Sequence, residues 1–476
     1  MTQYKNRPFG IRDKLGYLFG DFGNDFTFIL STMILMKFYT DVIGITPEHV
    51  GLVMMVARFV DALTDITMGR IVDALRPGRN GKFRRWIAWM CGPVAIASFL
   101  MYQSALANVA SYGIRLAYLF VTYILWGSVF YTAINIPYGS MASALSAEQG
   151  DRQSLSTFRS MGATLAGVII GVLLPLLAYD SLQAADPATG EVITSTVLNG
   201  RKVTIAAGVF SLLAVGCYLL CYALTTERVK LDAGPRKQGS VGAMLRNAAK
   251  NRALVSIIAA SVVMLLAQLT MQSTAAYIFP DYYNNASAQS VSTVLMMVAM
   301  LLAAGIAKPL ARRFGKAEIS AVSNLFAAVV CVMTYLLKPQ SVWVFVALQT
   351  LNWLGLGIFT MVSWALITDV IDDAEIRSGV REDGVVYALY SFARKLGQAA
   401  SAGLTGWLLS LVGYKPGGQS EAIQQSVQTL EGIFGISTLV PALGFGLLAA
   451  VLWLWYPLHH KQVEKNVAIL KARRGE

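Results

Sequence analysis

The chain has 476 residues, of which 55% are apolar or aromatic and only 14% are charged. A soluble domain usually carries about 25% charged residues, so the composition excludes a water-soluble globular protein. The apolar residues form blocks of about 20, which is long enough to cross a hydrocarbon core of ~30 Å. The net charge of +12 does not indicate nucleic-acid binding, because the basic residues lie in the segments between these blocks.

Twelve blocks predict transmembrane helices, so we expect an all-α membrane protein. In chain order the predicted spans lie near 15–40, 48–74, 87–106, 112–140, 157–179, 203–225, 253–276, 288–311, 317–337, 342–369, 385–412 and 431–456. The first span is too long and too interrupted by polar residues to be a signal peptide. Lys and Arg concentrate on one side of this predicted topology, which places both termini on the cytoplasmic side of the membrane. We expect this membrane to be a bacterial inner membrane.

Motifs of enzymes and ATP-driven pumps do not occur in this sequence. The four cysteines have neither metal-ligand nor disulfide spacing. The sequence contains no HExxH zinc motif and no GxxxxGK[ST] phosphate loop. We therefore expect no cofactor and no catalytic centre, and we do not expect this chain alone to drive transport with ATP.

The chain looks like two halves joined by a polar, basic segment. Gly81-Lys82 follows the second span, and Gly315-Lys316 follows the eighth span, 234 residues later. A second echo links Phe158-Arg159 to the segment 392–394. We expect these domains: six-helix bundles over 1–225 and 253–456, a cytoplasmic linker over 226–252 and a basic tail over 457–476. Two pseudo-symmetric bundles suit alternating access, with the substrate held between them near the membrane midplane.

Ionisable residues inside spans cost roughly 2.5–3.5 kcal/mol each on insertion scales and are functional candidates by default. Asp61 and Asp65 lie four residues apart near the middle of span two, so both project from one helix face. Two close carboxylates in a low dielectric need a proton, a sodium ion or a basic side chain. The alternative is a structural ion pair with Arg58.

Spans one and four add further polar groups near mid-membrane. Asp25, with Asn24 beside it, suits hydrogen bonding to sugar hydroxyls, although an Asp there can also serve helix packing. Thr132 and Asn135 lie on one face of span four and offer oxygens suited to a hard cation. Ordinary interhelical hydrogen bonding is the alternative for these two residues.

Spans five and eleven carry basic residues. Lys395 lies about ten residues into span eleven, where its partner must be another span or the substrate. Arg159, near the start of span five, reaches the interface more easily. The segment from Asp369 to Asp383 is rich in both charges and faces Arg152 across the pseudo-repeat. Salt bridges there suit a cytoplasmic gate, and a solvated loop is the alternative. The predicted gating residues are Arg58, Arg152, Asp369, Asp372 and Arg381.

The sequence resembles the glycoside–pentoside–hexuronide:cation symporters, a branch of the major facilitator superfamily that includes melibiose permease. The motifs that carry the resemblance are KLGYLFGDFGNDF (14–26), ARFVDALTDITMGRIVD (57–73), GKFRRW (81–86), NIPYGS (135–140) and DVIDDAEIRSGVREDGVVYALYSFARKLGQA (369–399). The resemblance implies the major facilitator fold, in which two six-helix bundles work by alternating access.

The resemblance also implies roles for single residues. Substrate binding is implied for Asp25, Asn135, Arg159, Ser391 and Lys395. We add Asn24 because it lies beside Asp25, although it stands where melibiose permease has a lysine. Cation binding is implied for Asp61, Asp65, Thr132 and Asn135, with sodium at the two aspartates if the coupling ion is a metal. Asn135 stands where melibiose permease has an aspartate, which weakens the case for sodium. The NIPYGS form is closer to the glucuronide and pentoside carriers.

We therefore expect a monomeric symporter of the bacterial inner membrane. Its partners are a sugar or glycoside, with a uronide or pentoside favoured, a monovalent cation, with the proton favoured over sodium, and the lipid bilayer. A lipid or lysolipid carrier of the same fold is one alternative, and a non-transporting membrane sensor is another.

Overall fold

A computed structural model describes residues 7–74, 81–185, 192–229, 251–378, 383–417 and 424–474. Within these ranges the chain is almost entirely helical, as the long apolar blocks predict. The contacts divide it into two units. Unit 1 comprises Met1–Arg236 and Gly413–Gln425, and unit 2 comprises Lys237–Val412 and Ser426–Glu476.

Unit 1 contains helices α1 to α7 and one short hairpin. The helices are α1 (Ile11–Lys37), α2 (Pro47–Ala74), α3 (Phe83–Leu100), α4 (Tyr112–Ile124), α5 (Thr132–Leu145), α6 (Gln149–Ala178) and α7 (Gly200–Leu224). A π-helical turn at Phe38–Val42 extends α1, a 3₁₀ turn at Ser104–Asn108 follows α3, and a π-helical segment at Leu125–Tyr131 joins α4 to α5. The hairpin pairs β1 (Tyr179–Ala185) with β2 (Val192–Leu198) in antiparallel register.

Unit 2 contains helices α8 to α14. They are α8 (Arg252–Tyr277), α9 (Ser287–Phe314), α10 (Lys316–Leu337), α11 (Val342–Ser378), α12 (Asp383–Leu411), α13 (Val427–Ala450) and α14 (His460–Arg474). Single π-helical turns extend α8 at Ile278–Tyr282 and α13 at Val451–Trp455. The predicted basic tail thus contains a helix, α14.

Nine helical segments in the described ranges are long and apolar enough to cross a membrane. Helices α1, α2 and α12, with 27, 28 and 29 residues, also reach the length needed, about 20 residues. Large apolar side chains such as Leu212 and Leu443 are 74% and 65% exposed, which is stable against hydrocarbon but not against water. The prediction of an all-α membrane protein is confirmed, except for the hairpin, which the sequence analysis does not predict.

The glycine echo in the sequence corresponds to one repeated backbone feature. Gly81 precedes α3 with φ +97°, and Gly315 precedes α10 with φ +96°, a region that non-glycine residues rarely adopt. A carboxylate lies against each glycine, Glu227 in unit 1 and Glu318 in unit 2. Glu227 accepts hydrogen bonds from the backbone N–H groups of residues 82, 83 and 84 at 2.7 to 2.8 Å, which satisfies the start of α3.

A second repeat is visible only in the structure. In unit 1 the Ile43 N–H donates to the Phe38 carbonyl at 3.2 Å, and in unit 2 the Tyr283 N–H donates to the Ile278 carbonyl at 3.1 Å. Both bonds close the π-helical turn that ends the first helix of the unit. The two units therefore share local backbone geometry at the end of their first helices.

Candidate functional site

The centre of unit 1 holds two carboxylates, each hydrogen-bonded to a hydroxyl from a neighbouring helix. The Ser128 hydroxyl donates to Asp61 Oδ1 at 2.5 Å, and the Thr132 hydroxyl donates to Asp65 Oδ1 at 2.9 Å. In each pair the two partners are 67 residues apart in the sequence. The two hydroxyl residues are four residues apart, and so are the two aspartates. Two matching rungs therefore connect α2 to the segment that contains the π-helix. We refer to these four residues as the carboxylate ladder.

Arg58 supplies a positive charge to one end of the carboxylate ladder. Its guanidinium lies 3.3 Å from Asp61 Oδ2, and both side chains are largely buried. The same guanidinium lies over the Phe28 ring, 5.0 Å from its centroid. Both oxygens of Asp61 are therefore bonded, one to Arg58 and the other to Ser128. The ion pair with Arg58 that the sequence leaves open as an alternative is present in the structure, and its acidic partner is Asp61, one of the predicted cation-site residues.

A glycine makes room for Asp61. A Cβ atom at Gly127 would lie 3.3 Å from Asp61 Oδ1, so the absence of a side chain lets the carboxylate approach the π-helical segment. Single π-helical turns occur frequently at functional sites, and this one brings Ser128 and Thr132 onto the face towards α2. Ser128 and Gly127 both contact Asp61, and the sequence analysis does not single them out, although Ser128 and Thr132 repeat the four-residue spacing of the aspartates.

Asp25 on α1 differs from the other carboxylates of this region. It is half-buried, and within the described part of the chain it has neither a hydrogen-bond nor an ion-pair partner. It lies within electrostatic reach of Asp21, a like charge, and of Arg159. A carboxylate oxygen with unused lone pairs in a membrane span can accept hydrogen bonds from a polar ligand.

Asn24 and Asn135 lie together, as the prediction of a shared binding role requires. The Asn24 amide donates to Asn135 Oδ1 at 3.4 Å, and the Tyr218 hydroxyl donates to Asn24 Oδ1 at 2.7 Å. Asn24 is only 1% exposed, whereas Asn135 is half-buried. In this structure Asn24 therefore positions Asn135, which is the more accessible of the two.

Arg159 forms an ion pair with Asp21. Its Nε lies 2.9 Å from Asp21 Oδ1, and its guanidinium lies 5.3 Å from the centroid of the Tyr138 ring. The Arg159 side chain remains 40% exposed, whereas Asp21 is 9% exposed. One face of the guanidinium is thus held by the protein while the rest of it stays accessible.

The other predicted residues lie in different surroundings. Arg152 donates to the Ala147 carbonyl at 3.3 Å within unit 1. Asp369 forms an ion pair of 2.6 Å with Lys316 within unit 2. Asp372 lies on α11 in unit 2, while Ser391, which is exposed, and Lys395, which is half-buried, lie on α12. Arg381 lies outside the described residues. Among the residues that the structure describes, no three metal-ligating side chains cluster.

Comparison with known proteins identifies relatives along nearly the whole chain. A family model described as MFS/sugar transport protein matches residues 16–460. The glucuronide carrier protein homolog of Escherichia coli is 29% identical over 477 residues, which cover 98% of this chain and 97% of that protein. The isoprimeverose transporter of Lactiplantibacillus pentosus is 29% identical over 466 residues, covering 98% and 92%.

The fold is also found among solved structures. A bacterial homolog of the human lysosomal transporter Spinster, crystallised in an inward-facing and unoccupied conformation, superimposes with a TM-score of 0.66. The sequence identity is 13%, and the match covers 95% of this chain and 97% of the other. The identity is too low to transfer a substrate, so this likeness shows the fold alone.

Proposed function

This chain belongs to the MFS/sugar transport family of multi-pass membrane transporters and is not an enzyme, and we propose that it couples uptake of one sugar or glycoside to inward movement of one kind of cation by alternating access. The observation that supports coupling most directly is the carboxylate ladder. It lies in the same unit as Asp25, whose carboxylate has no partner among the residues that the structure describes. A buried acidic cluster can respond to a cation, and an unpartnered carboxylate can bind hydroxyl groups.

The proposed sugar surface of unit 1 is formed by Asp25, Asn135 and Arg159. Hydrogen bonds to a charged acceptor are roughly twice as strong as neutral ones, which suits Asp25 to a pair of adjacent sugar hydroxyls. The accessible part of the Arg159 guanidinium suits the carboxylate of a uronide. We favour a uronide or a pentoside, because relatives matching almost the whole chain are named as a glucuronide carrier homolog and an isoprimeverose transporter. Ser391 and Lys395 remain expected contributions from unit 2.

The proposed cation site is the carboxylate ladder, and we favour the proton over sodium. Both oxygens of Asp61 are already bonded, one to Arg58 at 3.3 Å and one to Ser128 at 2.5 Å. Sodium prefers several oxygen ligands at once, whereas a proton needs a single lone pair. In this scheme the cation competes with Arg58 for Asp61. Replacing Arg58 by the cation changes the net charge of the carboxylate ladder when the substrate is bound.

Transport by purified protein in liposomes tests this proposal. Uptake of labelled glucuronides, xylosides and galactosides is measured with a proton gradient and with a sodium gradient imposed separately. We expect uphill uptake of a uronide or pentoside driven by the proton gradient. Asp61→Asn and Asp65→Asn should lose uphill uptake but keep exchange of labelled for unlabelled substrate, because exchange needs no net movement of charge.

Asp180→Asn is the matched control for these variants, because Asp180 is a partly exposed acidic residue of the hairpin in the same unit and pairs with Lys202 rather than with the ladder. It should accumulate substrate like the unmodified protein. Uphill uptake that survives in both ladder variants would overturn the proposed cation site. If no gradient drives uptake of any sugar while lysolipids are moved, the sugar proposal itself fails.

For membrane placement, we propose that both termini face the cytoplasm and that the monomer is the working unit.

A further inference from the structure

A cavity of 810 Å³ is lined by residues of unit 2, whereas the carboxylate ladder belongs to unit 1. Its walls come from α9, α11 and α14, and Lys316 at the start of α10 also lines it. Its volume falls within the range of about 300–1,000 Å³ that is typical of small-molecule sites. Neither the expected sugar surface nor the expected cation site includes any residue that lines it.

One wall of the cavity is held in place by α14. The backbone N–H of His460 donates to Glu318 at 2.8 Å, and the Asn466 amide donates to Asp373 at 3.1 Å. Asn466 and Leu470 are 4% and 5% exposed, so this face of the helix packs against unit 2. The cavity is therefore formed by a docked helix, and its shape depends on two anchored contacts.

The charged residues that line the cavity are mostly basic. Lys308 and Arg312 come from the last two turns of α9, and Lys471 comes from α14. Among the residues that the structure describes, none of these three has an ion-pair partner. The remaining charged lining groups are partly balanced. Lys316 is paired with Asp369 at 2.6 Å, and His460 lies 3.3 Å from Glu464.

The rest of the lining is apolar, and it continues into surface that suits lipid. Met361 and Val467 line the cavity and are 44% and 41% exposed. On α9, Leu301 and Leu302 are 64% and 57% exposed within two turns of Lys308. A basic group at the end of a membrane-spanning helix, above an apolar wall, matches a phosphate headgroup above an acyl chain.

We propose that this cavity binds an anionic phospholipid, with the phosphate held by Lys308, Arg312 and Lys471 and the upper part of an acyl chain lying against Met361 and Val467. Basic pockets between transmembrane helices bind anionic lipid headgroups in this way. The excess of cations favours a lipid with net negative charge over a zwitterionic one. The inference stands apart from sugar transport, because it uses none of the residues assigned to transport.

The test compares lipids on the full-length protein in detergent, with lipid adducts counted by native mass spectrometry. The probes are dioleoyl-phosphatidylglycerol, dioleoyl-phosphatidylcholine and inorganic phosphate. We expect phosphatidylglycerol to bind in preference to phosphatidylcholine, and phosphate not to displace it. The triple variant K308Q/R312Q/K471Q should bind phosphatidylglycerol about 100-fold more weakly, given the typical contribution of each basic residue near an anionic membrane.

Two further variants separate a lipid site from general surface charge. The control R313Q/K461Q/K465Q removes three neighbouring cations that do not line the cavity, and it should keep the preference. Ala304→Trp fills the cavity without changing its charge, and it should reduce binding like the triple variant. The proposal is overturned if the triple variant binds like the unmodified protein, if the control loses binding equally, or if Ala304→Trp has no effect. Displacement by free phosphate, or selective binding of an acidic protein instead of lipid, would also overturn it.

Discussion

Gly127 lies against Asp61 of the carboxylate ladder and leaves little room for a methyl group. In Gly127→Ala the new methyl carbon would lie 3.3 Å from Asp61 Oδ1, 3.5 Å from Oδ2 and 3.8 Å from Cγ. The first distance is shorter than ordinary van der Waals contact, so the carboxylate has to move by a few tenths of an ångström, away from the π-helical segment. This movement lengthens the bond from Ser128 and shifts Asp61 out of the position in which it lies beside Asp65 to receive a cation.

Overpacking of this kind typically costs about 1–3 kcal/mol, which corresponds to a change of about 5- to 150-fold in an equilibrium constant. We therefore expect the cation concentration for half-maximal uptake to rise by a factor in that range, while exchange of substrate in the absence of a gradient changes little. The assay is initial uptake into liposomes at a series of imposed cation concentrations. Exchange at saturating cation is measured on the same preparations.

Gly216→Ala is the matched control, because a Cβ at Gly216 on α7 meets nothing within 4 Å. It makes the same chemical change in a helix of the same unit, and it should leave both measurements unaltered. The reasoning is refuted if Gly127→Ala retains the cation dependence of the unmodified protein. It is also refuted if exchange and gradient-driven uptake fall together, because the contact with Asp61 would then not act through the cation.

Further predictions concern single polar residues of unit 1. Asp25→Asn should weaken sugar binding by at least tenfold in a substrate titration, because it removes a charged acceptor. Its melting temperature, measured by calorimetry, should be unchanged or higher. Asp13→Asn should lower the melting temperature markedly, because Asp13 is 0% exposed and binds Arg7 and Arg228 at 2.8 and 2.9 Å; breaking a buried ion pair costs about 3–5 kcal/mol. Hydrogen bonds from Lys202 and Asn199 lower the pKa of Asp180. Its small contribution to stability should therefore be complete at neutral pH and disappear as the pH falls through the folded-state pKa, a trend that Asp180→Asn should abolish in thermal melts.

Composition and residue spacing predict much of this architecture, because apolar length and charge placement decide where a chain can cross a membrane. The same physical argument identifies Asp61, Asp65, Thr132 and Asn135, since a polar residue deep in a span needs a reason to be there. The echo of Gly81 in Gly315 is also readable, and the positive φ of both residues supplies its cause. The hairpin β1–β2 is not readable in this way, because its segment lacks a clear alternation of apolar and polar residues.

What the sequence cannot predict is the local helical register. The π-helical segment Leu125–Tyr131 adds one residue to a turn, and this shift decides which side chains of the segment face α2. A regular 3.6-residue period gives no warning of such a shift. Residue spacing therefore does not predict that Ser128 and Gly127 lie against Asp61. In the same way, spacing alone places Asn24 beside Asp25 but does not reveal that Tyr218 holds it in a buried position.

Among the buried and half-buried acidic residues of unit 1, Asp25 is the strongest candidate for binding a ligand. A charge removed from water is costly unless it is paired, and the acidic side chains Asp13, Asp21, Asp41 and Asp61 each lie within 3.3 Å of an Arg or Lys nitrogen. Asp25 lies on the same helix as Asp21, four residues away, and lacks such a partner in the described chain. Folding alone gives no reason to keep a carboxylate there, because asparagine would fit the same space without the charge. Ligand binding gives such a reason, because a ligand with hydroxyl groups can donate to Asp25 the hydrogen bonds that the described part of the protein does not.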